Sequence, residues 1–343
     1  MEIFELQNRE EEKAWDEYIL RSDQSTFYHQ IGWKNVIEKT YKHKPVYLIA
    51  KEGSGIIGVL PLFLMKSMIF GKKLVSVPFA PYGGVCADNE SVKSGLIEAA
   101  KRITKKLSVD YLEIRTVSGD GTPGLASSVL YVTSILRLDA DSEVLWTNFP
   151  KRVRGSIRKA IKSNLKFDMN TTNIRDFYDV HSRNMRVLGS PVHSYNFFIN
   201  LIREFGDSVN ITYAKTDGRV VSSIFILFYK NTLTAYIGGT LEGYRIYNPF
   251  YLQFWELIKY GCERGFYFCD FGRSLSVSGG FDFKKRWGAE TKELNYQYYL
   301  NRIKEVPNYS KVNPSRQKFA KIWAKMPISV VNEFGPILRR NIP

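Results

Sequence analysis

The sequence predicts an α/β (α+β) chain of two similar halves, and three observations carry that prediction. Hydrophobic residues follow a strand period and then a helix period in one order (small sheet, helix, strand), and that order occurs twice along the chain. The hairpins of the two halves align without a gap: Tyr47-Leu-Ile-Ala-Lys51 with Ile56-Ile57 answers to Ile211-Thr-Tyr-Ala-Lys215 with Val220-Val221. Further on, Asp110-Tyr-Leu-Glu-Ile-Arg115 and Tyr267-Phe-Cys-Asp-Phe-Gly-Arg273 each set an acid between hydrophobics, with an arginine just after. Glycine-turn hairpins are common enough to match by chance, but the shared order of elements makes duplication the better reading. A chain of 343 residues suits two domains. They fall at 1–145 and 146–310, with a C-terminal helical segment over 311–343 that packs on the first domain or lies at a membrane surface.

In the first half, Glu10 to Leu20 and Gly32 to Tyr41 read as amphipathic helices, and Pro45 to Lys51, Ile56 to Met65 and Leu74 to Val77 as strands. Glu90 to Lys106 places Val92, Leu96, Ala99, Ala100 and Ile103 on one helical face and feeds the strand Asp110 to Arg115. The second half has strands at Val209 to Lys215, Val220 to Tyr229 and Leu233 to Gly238, a helix from Pro249 to Glu263, and a strand at Phe266 to Phe271. Asn248-Pro249 supplies an N-cap and a proline at the first helical position, so this terminus either is simply capped or offers its amides to a phosphate.

Composition narrows the function classes. A 44% hydrophobic and 24% charged chain is globular throughout. Its longest apolar runs, Ile56 to Met65 and Val220 to Tyr229, are too short to cross a bilayer. The acidic start, with Glu10, Glu11 and Glu12, lacks the basic and apolar regions of a secretory signal, which predicts a cytoplasmic chain. Cys86, Cys262 and Cys269 are odd in number and lack paired spacing, so they read as buried thiols rather than a disulfide framework or zinc site. A net charge of +15 and a pI near 9.5 either gather polyanions or serve solubility.

The densest charge lies between the halves, where Lys151 to Lys166 holds seven cations and no acid. On a helix, Lys151, Arg154, Arg158 and Lys162 share one stripe while Val153, Ile157, Ala160 and Ile161 form another. This is a solvated face or a polyanion-binding ridge, and the missing Glu partners favour the ridge.

Signatures of metal, triad or nucleotide-loop chemistry are absent from the sequence, and His29, His43, His181 and His193 are scattered. The distinctive stretch is Cys269 to Gly288, where a strand ending in Asp270 runs into a Gly/Ser loop and then a cationic, aromatic segment. Such a permissive backbone lets a ligand approach closely, or merely makes a turn.

Phe271-Gly-Arg-Ser, Ser278-Gly-Gly and Phe283-Lys-Lys-Arg-Trp-Gly288 resemble the FemAB family, especially its branch associated with exosortase and exopolysaccharide loci. Gly58-Val-Leu-Pro-Leu62, Phe70-Gly-Lys-Lys-Leu-Val-Ser76, Pro78-Phe-Ala-Pro-Tyr-Gly-Gly84, Asn184 to Pro191 and Glu204-Phe-Gly-Asp207 extend the resemblance over most of the chain. It implies two tandem GNAT-like domains, each a mixed, mostly antiparallel sheet flanked by helices. It also implies transfer of an amino acid from aminoacyl-tRNA to an amine of a peptidoglycan precursor, while related GNAT-like enzymes use acyl-CoA. The family's Phe-Lys pair at the reaction centre matches Phe283-Lys284. Two departures stand out. The family's substrate-binding lysine, four residues after an early tryptophan, is Ile37 here, after Trp33, and the long helical hairpin of some members is missing.

Acyl transfer to an amine needs a stabilised oxyanion and two substrates held together rather than a covalent nucleophile. Lys284 is therefore expected to stabilise the oxyanion or leaving group, and Asp270 to orient the amine or support the loop. Arg273 and Ser274, with Gly279 and Trp287 beside them, are expected to position an anionic substrate. Tyr82 in the first half and Arg186 with Tyr195 in the second would line the acceptor cleft, and Gly239, Thr240, Tyr247 and Asn248 the donor site. No bound cofactor or metal is required, since aminoacyl-tRNA or acyl-CoA enters as the donor substrate. tRNA and a cell-envelope or lipid-linked precursor are the expected partners, and the oligomeric state stays open. Met65 to Lys73 and Lys318 to Lys325, which mix cations with Phe319, Ile322, Trp323 and Met326, suit peripheral contact with the inner face of a membrane. A non-enzymatic nucleic-acid or membrane-surface module is the remaining class.

Overall fold

The structure is a computed structural model that describes residues 1–68, 70–117, 122–307 and 314–342, apart from the side chains of 314–316. The chain forms two compact units: Met1–Leu130 with Glu293–Asn308 and Arg340–Pro343, and Tyr131–Lys292 with Tyr309–Arg339. The linear division at 145 and 310 is thus corrected. A strand near the end of the chain returns to the first sheet, and the C-terminal helices belong to the second unit.

The first unit contains β1 (Glu2–Glu5), α1 (Arg9–Arg21), α2 (Ile31–Tyr41), β2 (Lys44–Glu52), β3 (Gly55–Ser67), β4 (Gly71–Ser76), β5 (Cys86–Ala87), α3 (Glu90–Lys106) and β6 (Tyr111–Val117). Its sheet runs β1-β2-β3-β4-β6, with β5 on β3, and is closed by the returning strand Glu293–Leu300. Among the described residues only β4 and β6 pair in parallel there. α3 forms as its sequence dictates: Asn89 caps the N-terminus by accepting from the Val92 amide at 3.0 Å, and Lys105 and Lys106 sit at the negative end of the dipole. Its Val92, Leu96, Ala99 and Ala100 pack on Leu48, Leu60 and Leu112 of the sheet, where full burial of a leucine contributes roughly 2 kcal/mol. Trp33 and Ile37 are fully buried core residues, which explains why the lysine position of the family is apolar here. The tip of the β3–β4 hairpin, part of the expected membrane contact, includes Ile69, which lies outside the described residues.

The parallel β4–β6 pair ends at Val75 and Glu113. Arg115 lies just beyond. It donates from Nε to Glu113 at 2.7 Å and from Nη1 to the Ala80 carbonyl at 2.7 Å, and its guanidinium sits over the Tyr296 ring at 5.0 Å. Its own amide donates to Ser76 Oγ at 2.9 Å, which keeps the two strands joined.

The second unit begins in β7 (Ala126–Arg137) and continues through α4 (Ser142–Asn148), α5 (Lys151–Lys162), β8 (Lys166–Met169), α6 (Ile174–Val187), α7 (Tyr195–Phe205), β9 (Val209–Thr216), β10 (Arg219–Tyr229), β11 (Thr232–Thr240), α8 (Pro249–Glu263), β12 (Phe268–Asp270), β13 (Ser274–Leu275) and α9 (Gly279–Lys285). After β14 (Glu290–Leu300), the strand shared with the first unit, come α10 (Pro314–Trp323) and α11 (Ile328–Arg339). The sheet order is β7-β12-β11-β10-β9-β8, with β13 on β7, and again one described pair, β11 with β12, is parallel. Each unit is therefore the mixed, mostly antiparallel sheet that the resemblance implied.

The duplication extends to an irregularity. In β2–β3 the register slips past Ile57, and in β9–β10 it slips past Val221, at the position the aligned hairpins make equivalent. A bulge adds one residue to one strand and bends it, so its recurrence at the same place is a shared structural device.

Three local expectations are corrected. Asn248 adopts a left-handed conformation (φ 58°) and its side chain caps nothing, because the chain enters α8 through a 3-10 turn over Glu242–Tyr247. Ile161, expected on the apolar stripe of α5, is exposed, leaving Val153, Ile157 and Ala160 to pack. The C-terminal helices pack on the second unit rather than the first, through Trp323 and Val331 against Val192, Tyr178 and Met185. The three cysteines are buried and unbridged. Among the described residues no helix is long and apolar enough to cross a membrane.

Candidate active site

In the second unit the parallel pairing of β11 with β12 covers only Thr232–Thr234 against Phe268–Asp270. Beyond it the regular ladder stops. β11 carries an extra residue, Tyr236, where its register with β10 slips, and the other chain turns at Gly272 (φ 74°) to pair as β13 with Tyr131 and Val132 of β7. A crevice outside the carboxyl ends of parallel strands is where open α/β sheets bind ligands. The bulge re-aims the β11 backbone at that place. Gly272 is required here: a β-carbon would lie 2.5 Å from the Ala235 carbonyl oxygen.

Two side chains hold this turn. Asp270 is fully buried and accepts from Thr133 Oγ1 at 2.5 Å and from the Gly272 amide at 2.8 Å. Both contacts hold the turn, which is one of its two expected roles. Lys284 comes from α9, whose N-terminus is capped by Ser278 through the Phe281 amide. Its ammonium donates to the carbonyls of Gly272 at 2.6 Å and Arg273 at 3.2 Å. Burial lowers its pKa to about 8, opposed by the Asp270 carboxylate and assisted by the Arg273 cation. The Gly/Ser loop thus folds back on a short helix, which brings Lys284, Asp270, Arg273 and Ser274 into one constellation.

The other expected residues divide. Arg273 is half-buried with its guanidinium 4.6 Å above the Tyr131 ring, and Ser274 lies on β13. Gly279 opens α9 with free space where a side chain would be. Trp287 does not line a surface: it is 1% exposed, packed among Phe149, Tyr251, Phe254 and Phe271, and supports α9 from beneath. Tyr82 is a buried residue of the first unit, set edge-on to Tyr28.

Residues expected in separate donor and acceptor sites meet in one cavity of about 230 Å³, lined by Arg183, Asn184, Arg186, Arg219, Thr240 and Tyr244. Arg186 reaches the Met326 carbonyl from Nη1 at 3.4 Å, while its Nε is buried without a partner. Thr240 is tied to Ser222 at 2.8 Å, and Ser222 donates to Gln253 of α8 at 2.6 Å, which fixes the strand end to the helix. Gly239 lies against Asn184, where a β-carbon would meet the Asn184 side chain at 2.8 Å. Tyr247 is partly exposed on the turn before α8, and the Tyr195 ring lies 5.3 Å from that of Tyr178.

Sequence reasoning missed Tyr236 and His193. His193 is buried, stacked on Phe197 at 4.6 Å, and its Nε2 accepts from Arg339 at 3.0 Å. Burial holds it well below its ordinary pKa, as do the Arg339 and Arg273 cations, so it is neutral.

Residues 147–285 match the family model of the acetyltransferase (GNAT) domain. The second unit is a GNAT-type acyltransferase domain. Solved structures extend the likeness to both units. FemX is 14% identical, with a TM-score of 0.67 over 88% of this chain and 98% of its own. L-PGS from Bacillus licheniformis is 12% identical, with a TM-score of 0.57 over 95% and 100%. A tandem GNAT protein from the clavulanic acid biosynthesis pathway is 10% identical, with a TM-score of 0.57 over 86% and 97%. At these identities the likeness establishes a tandem GNAT fold of the FemX kind across the chain. No curated protein matches by sequence. Within the GNAT unit, the short β11–β12 pair and the Lys284 clamp lie inside the matched span.

Proposed function

We propose that this acyltransferase moves an aminoacyl group from aminoacyl-tRNA to an amine of a cell-envelope precursor. The exposed face of α5 carries the reading. Lys151, Arg152, Arg158, Lys159 and Lys162 are exposed while Val153, Ile157 and Ala160 face the core, and no carboxylate pairs with these cations among the described residues. A cationic face without carboxylate partners suits a polyanionic donor, and it belongs to the same unit as Lys284. An aminoacyl-tRNA donor in turn places the reaction in the cytoplasm.

In the reaction the acceptor nitrogen attacks the ester carbonyl, a C–N bond forms and the C–O bond to the ribose breaks. The amine proton leaves to solvent or a nearby base, and the ribose oxygen takes up another. Lys284 has two of its three N–H bonds on the Gly272 and Arg273 carbonyls. With a pKa near 8 it can lend a proton to the departing oxygen or stabilise the oxyanion. Arg273 positions an anionic part of the substrate.

The second reading is an acyl-CoA donor with an amino-sugar or lipid precursor as acceptor. It is favoured by the acetyltransferase family match and by the tandem GNAT relative, whose structure is described without AcCoA. Incubation with labelled aminoacyl-tRNA and labelled acyl-CoA, separately, against extracted envelope precursors decides between them. Label moving from tRNA, abolished by ribonuclease, is the expected result, whereas thiol release from acyl-CoA with label transfer would overturn it.

A further inference from the structure

Helices α10 and α11 bury one side and expose another of unusual composition. Trp323, Val331 and Gly335 face inward, and Gly335 approaches Val192 so closely that a β-carbon would lie 2.7 Å from its side chain. On the outside, Phe319 and Ile322 of α10 are 39% and 59% exposed, and Phe334 and Ile337 of α11 are 50% and 60% exposed. Lys318, Lys321 and Lys325 are exposed among them, and from Pro314 to Arg339 the sequence holds one acid, Glu333.

We propose that this outer surface docks on an anionic lipid bilayer. The proposal goes beyond acyl transfer and does not rest on the identity of the donor. Large apolar side chains flanked by lysines suit the headgroup boundary, where the rings and branched chains enter the acyl region and long lysine stems carry their charges to lipid phosphates. The contrast with α5 selects lipid over RNA. α5 exposes charge with one large apolar residue, Ile161, whereas α10 and α11 expose four such residues that phosphate binding would not use. Four large exposed apolar residues are also costly to leave in water, and three exposed lysines against the single acid of the two helices, Glu333, match an anionic partner.

Sedimentation of the full chain with vesicles of phosphatidylglycerol and phosphatidylcholine, against phosphatidylcholine alone, tests this. Binding to the anionic vesicles that weakens with salt is expected. Phe319→Ser with Ile322→Ser should lower the apparent affinity about tenfold. Replacing Lys318, Lys321 and Lys325 by Gln should lower it on the order of a hundredfold at low salt. Unchanged circular dichroism and thermal midpoints show that the variants fold. The proposal is overturned if the folded protein ignores anionic vesicles at low salt, or if the variants bind like the parent. It is also overturned if they instead dissolve a concentration-dependent dimer in sedimentation velocity, which would assign the surface to a second copy, or lose only RNA binding.

Discussion

The ammonium of Lys284 donates to the Gly272 carbonyl at 2.6 Å, so a residue expected to face the reacting atoms also ties a strand-end turn to the helix after it. Its substitution should therefore show two separable effects. Lys284→Ala is expected to lower kcat on the order of a hundredfold or more if the ammonium stabilises developing charge. Lys284→Arg should recover much of the loop geometry but little of the rate. A Lys284→Ala enzyme with parental turnover would remove Lys284 from the chemistry.

The same ammonium sets a pH dependence. Its pKa lies at about 8 in the folded chain, below the ordinary lysine value, so the cation is full below pH 8 and disappears above it. kcat/KM should fall about tenfold per pH unit above 8. A profile that rises through pH 8 would instead make the neutral amine the working form.

Gly272→Ala tests the turn. At φ 74° an alanine is strained, and its β-carbon would meet the Ala235 carbonyl at 2.5 Å. Urea unfolding should show a loss of about 1–3 kcal/mol. Activity should drop further than stability explains, because the Lys284 acceptors shift.

Neutralising Lys151, Lys159 and Lys162 together should weaken tRNA binding and flatten its salt dependence, with a slope reduction of about 0.7 for each phosphate that the protein no longer neutralises. Thermal stability should hold, since all three side chains are exposed. Unaltered tRNA affinity would return the α5 ridge to mere solvation.

Acid should unfold the protein early. His43, His181 and His193 are held below the ordinary imidazole pKa chiefly by burial, His43 to about 4 and His181 to about 3. Their neutral forms are the folded ones. The unfolded chain takes up protons near pH 6.5, so stability is complete above that value and declines as pH falls toward the folded pKa values. Each histidine contributes up to about 1.4 kcal/mol per pH unit in that window. Chemical denaturation at pH 7 and pH 5 measures it.

Much of the architecture was legible because it rests on local periodicity. The helices at Glu90–Lys106 and Pro249–Glu263 lie where the apolar spacing puts them, and the equivalence of the two hairpins extends to their bulges. The candidate site was legible in part, through the Asp270-to-Lys284 segment. What escaped depends on register and on distant partners. The Tyr236 bulge is a mismatch between strands that no single stretch encodes. Trp287 reads as a site aromatic until Phe149 and Tyr251 are seen to enclose it. Asn248 carries an N-cap signature, yet the turn before it dictates a left-handed backbone.

Glu113 and Asp270 occupy the same rung, the last of a short parallel pair, and two residues on the first half has Arg115 where the second has Gly272. The arginine closes its strand end with its own ion pair, ring and carbonyl interactions, whereas the glycine brings no side chain and lets the Ala235 carbonyl approach instead. Two equivalent strand ends are thus finished differently: the first is sealed by a side chain that brings its own partners, and the second by backbone alone, with the Gly272 turn seated against the Ala235 carbonyl and its own carbonyl held from outside by Lys284.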